Sequence, residues 1–554
     1  MKDFKKSTIY QIYPKSFYDT NDDGIGDLNG VIEKLDYLKN LGIDYIWLTP
    51  FYPSPQVDNG YDVSDYYSID PSFGTLEDFE RLVEEAKARN IYVMLDMVLN
   101  HTSIEHKWFQ KALNGEKKYK DFYIFKESEN NEPPTNWQSK FGGAAWEHVE
   151  KFDEYYLHLF DRTQADLNWE NKDVKKEIYD IVNFWIEKGV KGLRFDVINL
   201  ISKPEKYEND LDGDGRKFYT DGPRIHEYLK ELNENTYGNC DDIVTVGEMS
   251  STTLENCIRY SNPEEKELSM VFNFHHLKVD YYNGDKWTIM KFDFKKLKEI
   301  FKNWQETIQD ANGWNALFWC NHDQPRVVSR FGNDKKYLKE SAKMLATTIH
   351  MMRGTPYVYQ GEEFGMTNPY FDSIEQYRDV ESINYYNISK SEGKAEEEIL
   401  EVLRRKSRDN SRTPVQWSDK KNAGFTKGTP WIPISNEYKR INAEKALADK
   451  DSIFYHYQKL IKLRKDQDII SNGKIKFILE DHERVFAYVR SLDNITLVVI
   501  NNFFEDEIKV ELPNEYLKNK LKSKILISNY KDSSILDKDL TLRPFESIVY
   551  YIEN

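Results

Sequence analysis

Eight short runs of β-branched and aromatic residues punctuate the chain: TIYQIYP from Thr8, DYIWLTP from Asp44, IYVMLDMVLNH from Ile91, GLRFD from Gly192, IVTVGEM from Ile243, MVFNFHH from Met270, NALFWCNHD from Asn315 and GTPYVYQGEE from Gly354. Between them lie stretches such as VIEKLDYLKNLG and LEDFERLVEEAKARN, whose apolar positions recur at helical spacing. Strands alternating with helices predict parallel βα units of the α/β class, and eight such units predict a (β/α)8 TIM barrel.

The spacing is uneven. After the third run, about seventy residues rich in polar, aromatic and glycine content (including FYIFKESENNEPPTNWQSKFGGAAW) precede the next barrel helix, too long for an ordinary connection. From Lys474 the pattern changes to closely spaced alternating runs, IKFILED, VFAYVRS, ITLVVINN, IKVELP and ESIVYYI, which read as antiparallel strands. The organisation expected is a barrel over 1–101 and 172–473, an inserted lid subdomain over 102–171 and a C-terminal antiparallel β-sandwich over 474–554.

One barrel run carries charges where a core strand carries none. In GLRFDVINLI, side chains alternate faces, so Arg194 and Asp196 share one face while Leu193, Phe195 and Val197 share the other. Leaving one partner of such a buried pair unmatched costs about 3 to 5 kcal/mol, so the two must compensate each other or open onto a cleft. A strand end facing a site is the better reading.

Composition narrows the partners. Against 77 Lys and Arg stand 94 Asp and Glu, a formal charge of −17, which disfavours nucleic acid and anionic membranes as partners. Three irregularly spaced cysteines, Cys240, Cys257 and Cys320, form neither a disulfide framework nor a zinc pattern and suit a reducing compartment. No apolar run is long enough to span a bilayer and MKDFKKSTIYQIYP has no apolar leader core, so a cytoplasmic location is expected. The aromatic share of 14% is accounted for by packing as readily as by stacking on flat ligands.

Barrel chemistry sits at the C-terminal ends of the strands. Three of the proposed strands end in acids: Asp196 in the fourth, Glu248 (TVGEM) in the fifth and Asp323 (CNHDQPR) after the seventh. Singly, each would be a loop cap or an ion-pair partner. Three acids on one rim crowd like charges and drive pKa values apart, which acid/base chemistry at a glycosidic bond requires.

Five blocks, DMVLNH (Asp96 to His101), QADLN (Gln164 to Asn168), GLRFDVIN, VGEM and NHDQPR, resemble in order the signature blocks of the α-amylase superfamily of retaining α-glucosidases. The resemblance covers essentially the whole chain. It implies that Asp196 is the nucleophile, Glu248 the general acid/base and Asp323 the third carboxylate steadying the transition state. It further implies that Arg194, His101 and His322 hold the glucose, that Asp58, Tyr61 and Phe160 line the closed end of its pocket, and that Arg408 of KSRDNSRTPVQW pairs with Asp58. Arg194 would keep Asp196 ionised and its pKa low, while that of Glu248 is raised.

The loop DTNDDGIGD begins like an EF-hand but has Gly30 at position twelve, where that motif needs Glu. Its alternating oxygen donors still suit a hard cation. The loop resembles the structural calcium or magnesium site of bacterial α-glucosidases of the superfamily, which implies ligands Asp19, Asn21, Asp23 and Asp27 by side chain and Ile25 by backbone. A similar spacing in DLDGDGRKFYTD (Asp210, Asp212, Asp214) is followed at once by Arg216 and Lys217, which argues against a metal there. No redox or nucleotide cofactor is expected.

PPTNWQSKFGGAAW, LISKP with GDGRKFYTDGPRIHEYL, GEMSSTTLENCIRYSNP and FNFHHLKVDY resemble superfamily members that split a phosphorylated disaccharide. That resemblance implies a dianionic small-molecule substrate and a cationic subsite, for which Lys203, Arg216, Arg224 and Lys278 are the candidates, each with the alternative of being a solvated charge. The alternative specificity is that of oligo-1,6-glucosidases acting on isomalto-oligosaccharides, which share even the valine after the nucleophile, here Val197, but have no use for cations beside the leaving sugar. A catalytically inert scaffold like the amino-acid-transporter heavy chains would carry a membrane span and lack the full carboxylate set.

Overall fold

The computed structural model describes residues 2–127 and 132–553. Part of the proposed lid stretch, residues 128–131, lies outside the described residues.

Eight parallel strands form the barrel: β1 Ile9–Ile12, β2 Tyr45–Leu48, β3 Tyr92–Val98, β4 Gly192–Asp196, β5 Val244–Glu248, β6 Met270–Phe272, β7 Ala316–Leu317 and β8 Thr355–Tyr359. They pair in the order β6-β5-β4-β3-β2-β1-β8-β7, and a parallel bridge from Val271 of β6 to Asn315, just before β7, closes the ring. All eight coincide with the runs read from the sequence. Both faces of each strand are covered, which is why the runs are nearly continuous in apolar residues.

The helices follow from caps and stripes. Over Lys172–Glu187, Asn171 caps the first turn, and Val174, Ile178, Ile181, Val182 and Trp185 line one buried face at three- and four-residue spacing. Over Leu76–Ala88, Thr75 and Asp78 make a reciprocal capping box.

Register places the charges. Asp96 of β3 lies opposite Arg194 of β4, and Val98 opposite Asp196, so the charged side chains of neighbouring strands share the lumen. Val197, directly after β4, has φ 35° and ψ 38°, a left-handed conformation costly for a β-branched residue, and the strand stops there with Asp196 at its tip.

The inserted segment carries a three-stranded antiparallel sheet (Phe125–Glu127, Trp146–Val149, Glu154–Leu157) and a two-stranded one joining His101–Ser103 to Gln164–Asp166. It is tied to the loop after β4: Gln138 N donates to Asp214 O at 3.0 Å, and Trp137 Nε1 to Glu208 O at 2.9 Å. Gly215 has φ +92°, and a Cβ there would lie 2.3 Å from the Trp137 ring, so only glycine lets the two segments meet.

At the C-terminal end, β9 Lys474–Ile478, β10 Val485–Leu492, β11 Ile495–Asn502, β13 Ser523–Ser528 and β15 Ser547–Glu553 form one antiparallel sheet, and β12 Ile508–Glu511 pairs with β14 Asp539–Leu542 as a ribbon. Alternation divides the faces. Val485, Ala487 and Val489 pack toward the ribbon, whereas Phe486 and Tyr488 join the core shared with the barrel.

Candidate active site

Arg194 stands at the centre of the lumen, only 1% exposed. Its Nη1 donates to Asp96 Oδ1 at 2.6 Å and to Asp196 Oδ1 at 2.7 Å, and the other amino group contacts Glu248. One guanidinium therefore touches the acids at the ends of β4 and β5, which holds them on either side of a shared cation. Asp96 is fixed in turn by Tyr61 Oη at 3.0 Å and Trp47 Nε1 at 3.2 Å. Burial works against the charge of Arg194, but Asp96, Tyr61 and Asp196 overcome it and hold the group above its ordinary value.

The low pKa expected for Asp196 is not what the site shows. Burial pushes its carboxyl up, Arg194 opposes that, and the second carboxylate, Asp96, adds to it. The cause is plain: sequence reading supplied the cation, but neither the burial of the carboxyl nor the second acid sharing that cation.

Asp323 is the opposite case. Burial would raise it, but His322, Arg408 and Arg412 outweigh that and hold it well below the usual carboxylate range. Its Oδ2 lies 3.1 Å from His322 Nε2 and its Oδ1 2.7 Å from Arg412 Nη2. Gln11 Nε2 meets His322 Nδ1 at 2.8 Å, and the Tyr61 ring stacks on the imidazole with centroids 5.2 Å apart.

A second polar cluster assembles beside Asp323 from distant segments. Arg408 Nη2 lies 3.0 Å from Asp58 Oδ1, and the same side chain reaches Asp379 (Nε to Oδ1, 2.8 Å) and Asp323 (Nη1 to Oδ1, 3.4 Å). Gln164 Nε2 joins Asp58 Oδ2 at 3.1 Å to His101 Nε2 at 3.2 Å, and Phe160 packs its ring 5.2 Å from His101. All ten residues read as catalytic or glucose-holding are joined by these contacts into one cluster. Asp96, Gln164, Asp379 and Arg412 were not singled out from the sequence; the even spacing of Asp96 on its strand, like that of Arg194 and Asp196, was the signal available for it.

The four phosphate candidates separate. Lys203 is a correction: it is buried, with its ammonium 2.7 Å from Asp166 Oδ2 and 2.8 Å from Asn100 Oδ1, so its charge is spent joining the lid to the barrel. Arg224 is another: it is only partly buried and is paired with Glu170 and, at 2.9 Å, with Glu227. Arg216 binds Asp214 at 3.0 Å, and Lys217 binds Asp210 at 2.6 Å, which neutralises the second acidic loop from within. Lys278, half-buried just after β6, has no carboxylate within ion-pair distance among the described residues; burial and then Arg216 lower its pKa. Lys140 of the lid, a residue passed over in the sequence, lies beside both cations and donates to Ser250 Oγ at 3.2 Å.

In the loop from Asp19 to Asp27 the side-chain oxygens accept backbone donors: Asp19 from Asp22 N (2.8 Å) and Gly24 N (2.8 Å), Asn21 from Asp23 N (3.0 Å), Asp23 from Ile25 N (2.8 Å), and Asp27 from Gly30 N (2.7 Å) as a helix cap. Among the described residues no three His, Cys, Asp or Glu side chains converge at metal-binding distance. The donor set is all oxygen and each carboxylate keeps unused lone pairs, which suits a hard cation completed by Asn21 and a backbone carbonyl.

A closed eight-stranded barrel with three acids at its strand ends, an inserted lid and a C-terminal sheet places the chain in a class: it belongs to the α-amylase family. The family model "Alpha amylase, catalytic domain" matches residues 11–473, and "Alpha-amylase SusG C-terminal domain" matches residues 485–549. Within that family the chain is 59% identical to the trehalose-6-phosphate hydrolase of Bacillus subtilis (strain 168), covering 99% of this chain and 98% of that one. It is 49% identical to the oligo-1,6-glucosidase of Bacillus cereus, covering 99% of each. The solved structure of a mutant trehalose-6-phosphate hydrolase of Bacillus licheniformis in complex with PNG superposes with a TM-score of 0.97 at 58% identity, covering 100% of each chain.

Proposed function

We propose that this protein hydrolyses the α,α-1,1 bond of trehalose 6-phosphate, giving glucose and glucose 6-phosphate with retention at the cleaved carbon. The unphosphorylated glucose fills the closed pocket of Asp58, Tyr61, His101, Phe160, His322 and Arg408. A carboxylate oxygen of Asp196 attacks its anomeric carbon as the bond to the bridging oxygen breaks, and Glu248 gives that oxygen a proton. Glucose 6-phosphate leaves and a glycosyl ester remains on Asp196. Water then donates a proton to Glu248 while its oxygen attacks the same carbon, and the ester bond breaks to release α-glucose. Asp323, kept ionised by its cations, stabilises the positive charge developing on the sugar ring.

The observation that carries the substrate choice is Lys278, a half-buried lysine without a carboxylate partner among the described residues, next to Arg216. A neutral isomalto-oligosaccharide gains nothing from such a group, whereas a phosphate supplies its counter-charge. Side-by-side hydrolysis of trehalose 6-phosphate, trehalose and isomaltose by the purified protein tests the reading. Strong preference for trehalose 6-phosphate is expected; comparable turnover of isomaltose would replace it by the oligo-1,6-glucosidase reading.

The substrate dianion does not cross a bilayer unaided, which favours a cytoplasmic site of action. Among the described residues no helix is long and apolar enough to cross a membrane, and Cys240, Cys257 and Cys320 are unpaired. We further propose that the loop from Asp19 to Asp27 holds one structural calcium or magnesium ion through Asp19, Asn21, Asp23, Asp27 and the Ile25 carbonyl, remote from the chemistry.

A further inference from the structure

Resting on that reading of the substrate, we propose that Lys140, delivered by the lid, is a phosphate-binding residue and a main determinant of preference for the phosphorylated sugar. Its ammonium donates to Ser250 Oγ at 3.2 Å and lies 5.7 Å from the centroid of the Tyr219 ring. Among the described residues no carboxylate lies within ion-pair distance of it. The nearest acids are committed elsewhere, Asp214 to Arg216 and Asp166 to Lys203.

Charge points to the ligand. Lys140 feels the positive charges of both Arg216 and Lys278, and Asp214, paired to Arg216, cancels one of the three. The remaining excess of two matches a phosphate monoester, which carries about −1.5 to −2 at pH 7. Without such an anion the cluster opposes itself: burial, then Arg216 and Lys278, push Lys140 down to about 7.

Position points to the leaving sugar. Ser250 follows Glu248 by two residues, and its backbone is clamped by Asn199, three residues beyond Asp196, through Ser250 N to Asn199 Oδ1 (2.9 Å) and Asn199 Nδ2 to Ser250 O (2.9 Å). Lys140 therefore docks on the residue through which the segments following the two catalytic strand ends are tied together, two positions beyond the acid that protonates the leaving oxygen. The preceding and following residues fix the loop that carries it. Ser139 Oγ donates to Phe160 O at 2.7 Å, and the Phe141 carbonyl accepts from Asn384 Nδ2 at 3.2 Å across the entrance. The Phe141 ring lies under the Arg408 guanidinium at 4.7 Å, so adjacent residues of one loop serve the glucose pocket and the phosphate.

The test compares Lys140→Met, which keeps the aliphatic stem, and Lys140→Arg, which keeps the charge, on trehalose 6-phosphate and on p-nitrophenyl α-glucoside. A charge-assisted, partly desolvated contact predicts that Lys140→Met loses on the order of 10- to 150-fold in kcat/KM for trehalose 6-phosphate, mostly through KM. The ratio between the two substrates should fall by nearly that factor, Lys140→Arg should restore most of it, and inhibition by glucose 6-phosphate should weaken in parallel. Equal losses on both substrates, or no loss on either, would overturn the assignment. Should the unmutated protein fail to prefer trehalose 6-phosphate over isomaltose, the substrate reading itself falls; a clear preference that survives Lys140→Met overturns only the role of Lys140.

Discussion

Asp58 and Arg408, 350 residues apart in the chain, meet at 3.0 Å, and the same arginine also holds Asp379 and Asp323. Burial pushes Asp58 up to about 7 even though Arg408 and Arg412 pull it down, so the carboxylate depends on its arginines for whatever charge it keeps. Replacing Arg408 by Ala removes a cation shared by Asp58, Asp379 and Asp323. The expected cost is about 3 to 5 kcal/mol of stability, together with loss of activity on phosphorylated and unphosphorylated substrates alike. Arg408→Lys should rescue poorly, because one ammonium cannot reach three acids with separate nitrogens. Thermal unfolding and kcat/KM on both substrates check this; a loss confined to trehalose 6-phosphate would contradict it.

Lys203 provides a contrast with Lys140. Its ammonium sits between Asp166 Oδ2 at 2.7 Å and Asn100 Oδ1 at 2.8 Å. Lys203→Met should leave Asp166 buried without its cation, lowering the Tm at a cost of about 3 to 5 kcal/mol. Trehalose 6-phosphate and nitrophenyl glucoside should lose rate together. A selective loss on the phosphorylated substrate would return Lys203 to the phosphate subsite.

Retention makes a stereochemical prediction. The first glucose released should be the α-anomer, seen by NMR of the nascent sugar before mutarotation, and Asp196→Asn should abolish turnover while keeping the Tm within a few degrees. A β-anomer would remove Asp196 from the role of nucleophile.

The pH dependence of substrate binding follows from Lys140. Its amine lies among Arg216, Lys278, Asp214 and Asp166, and its pKa in the free protein is lowered to about 7, first by burial and then by the two cations. Below that value it is charged, and above it increasingly neutral. The phosphate becomes a dianion above about 6. KM for trehalose 6-phosphate should therefore be lowest around pH 6 to 7 and climb as pH rises further, while KM for nitrophenyl α-glucoside lacks that climb. In Lys140→Arg the rise should disappear, since a guanidinium stays protonated.

Cation removal tests the Asp19 to Asp27 loop. Saturating chelator should lower the Tm through lost binding free energy and leave turnover of the folded protein nearly unchanged. An unmoved melting curve would make the loop an acidic turn held by its own backbone donors, such as Gly24 N on Asp19 Oδ2 at 2.8 Å.

The chain's local patterns sufficed for the barrel. Apolar runs, helical stripes and capping residues are short-range signals, and all eight strands lie where those signals put them. The ends of β4 and β5 were legible for the same reason, because strand alternation alone sends Arg194 and Asp196 to one face. The partners of long charged side chains were not legible. Lys203, Arg224 and Lys278 look alike in sequence, yet one is locked to Asp166, one is paired with exposed glutamates, and one has no carboxylate at ion-pair distance among the described residues. Lys140 stood unmarked in a glycine-rich lid stretch until the fold carried it to Ser250, 110 residues away. Periodicity along the chain determines which face a residue takes, but the free energy of a buried charge is set by what lies within a few ångströms of it, and only the tertiary structure brings those groups together.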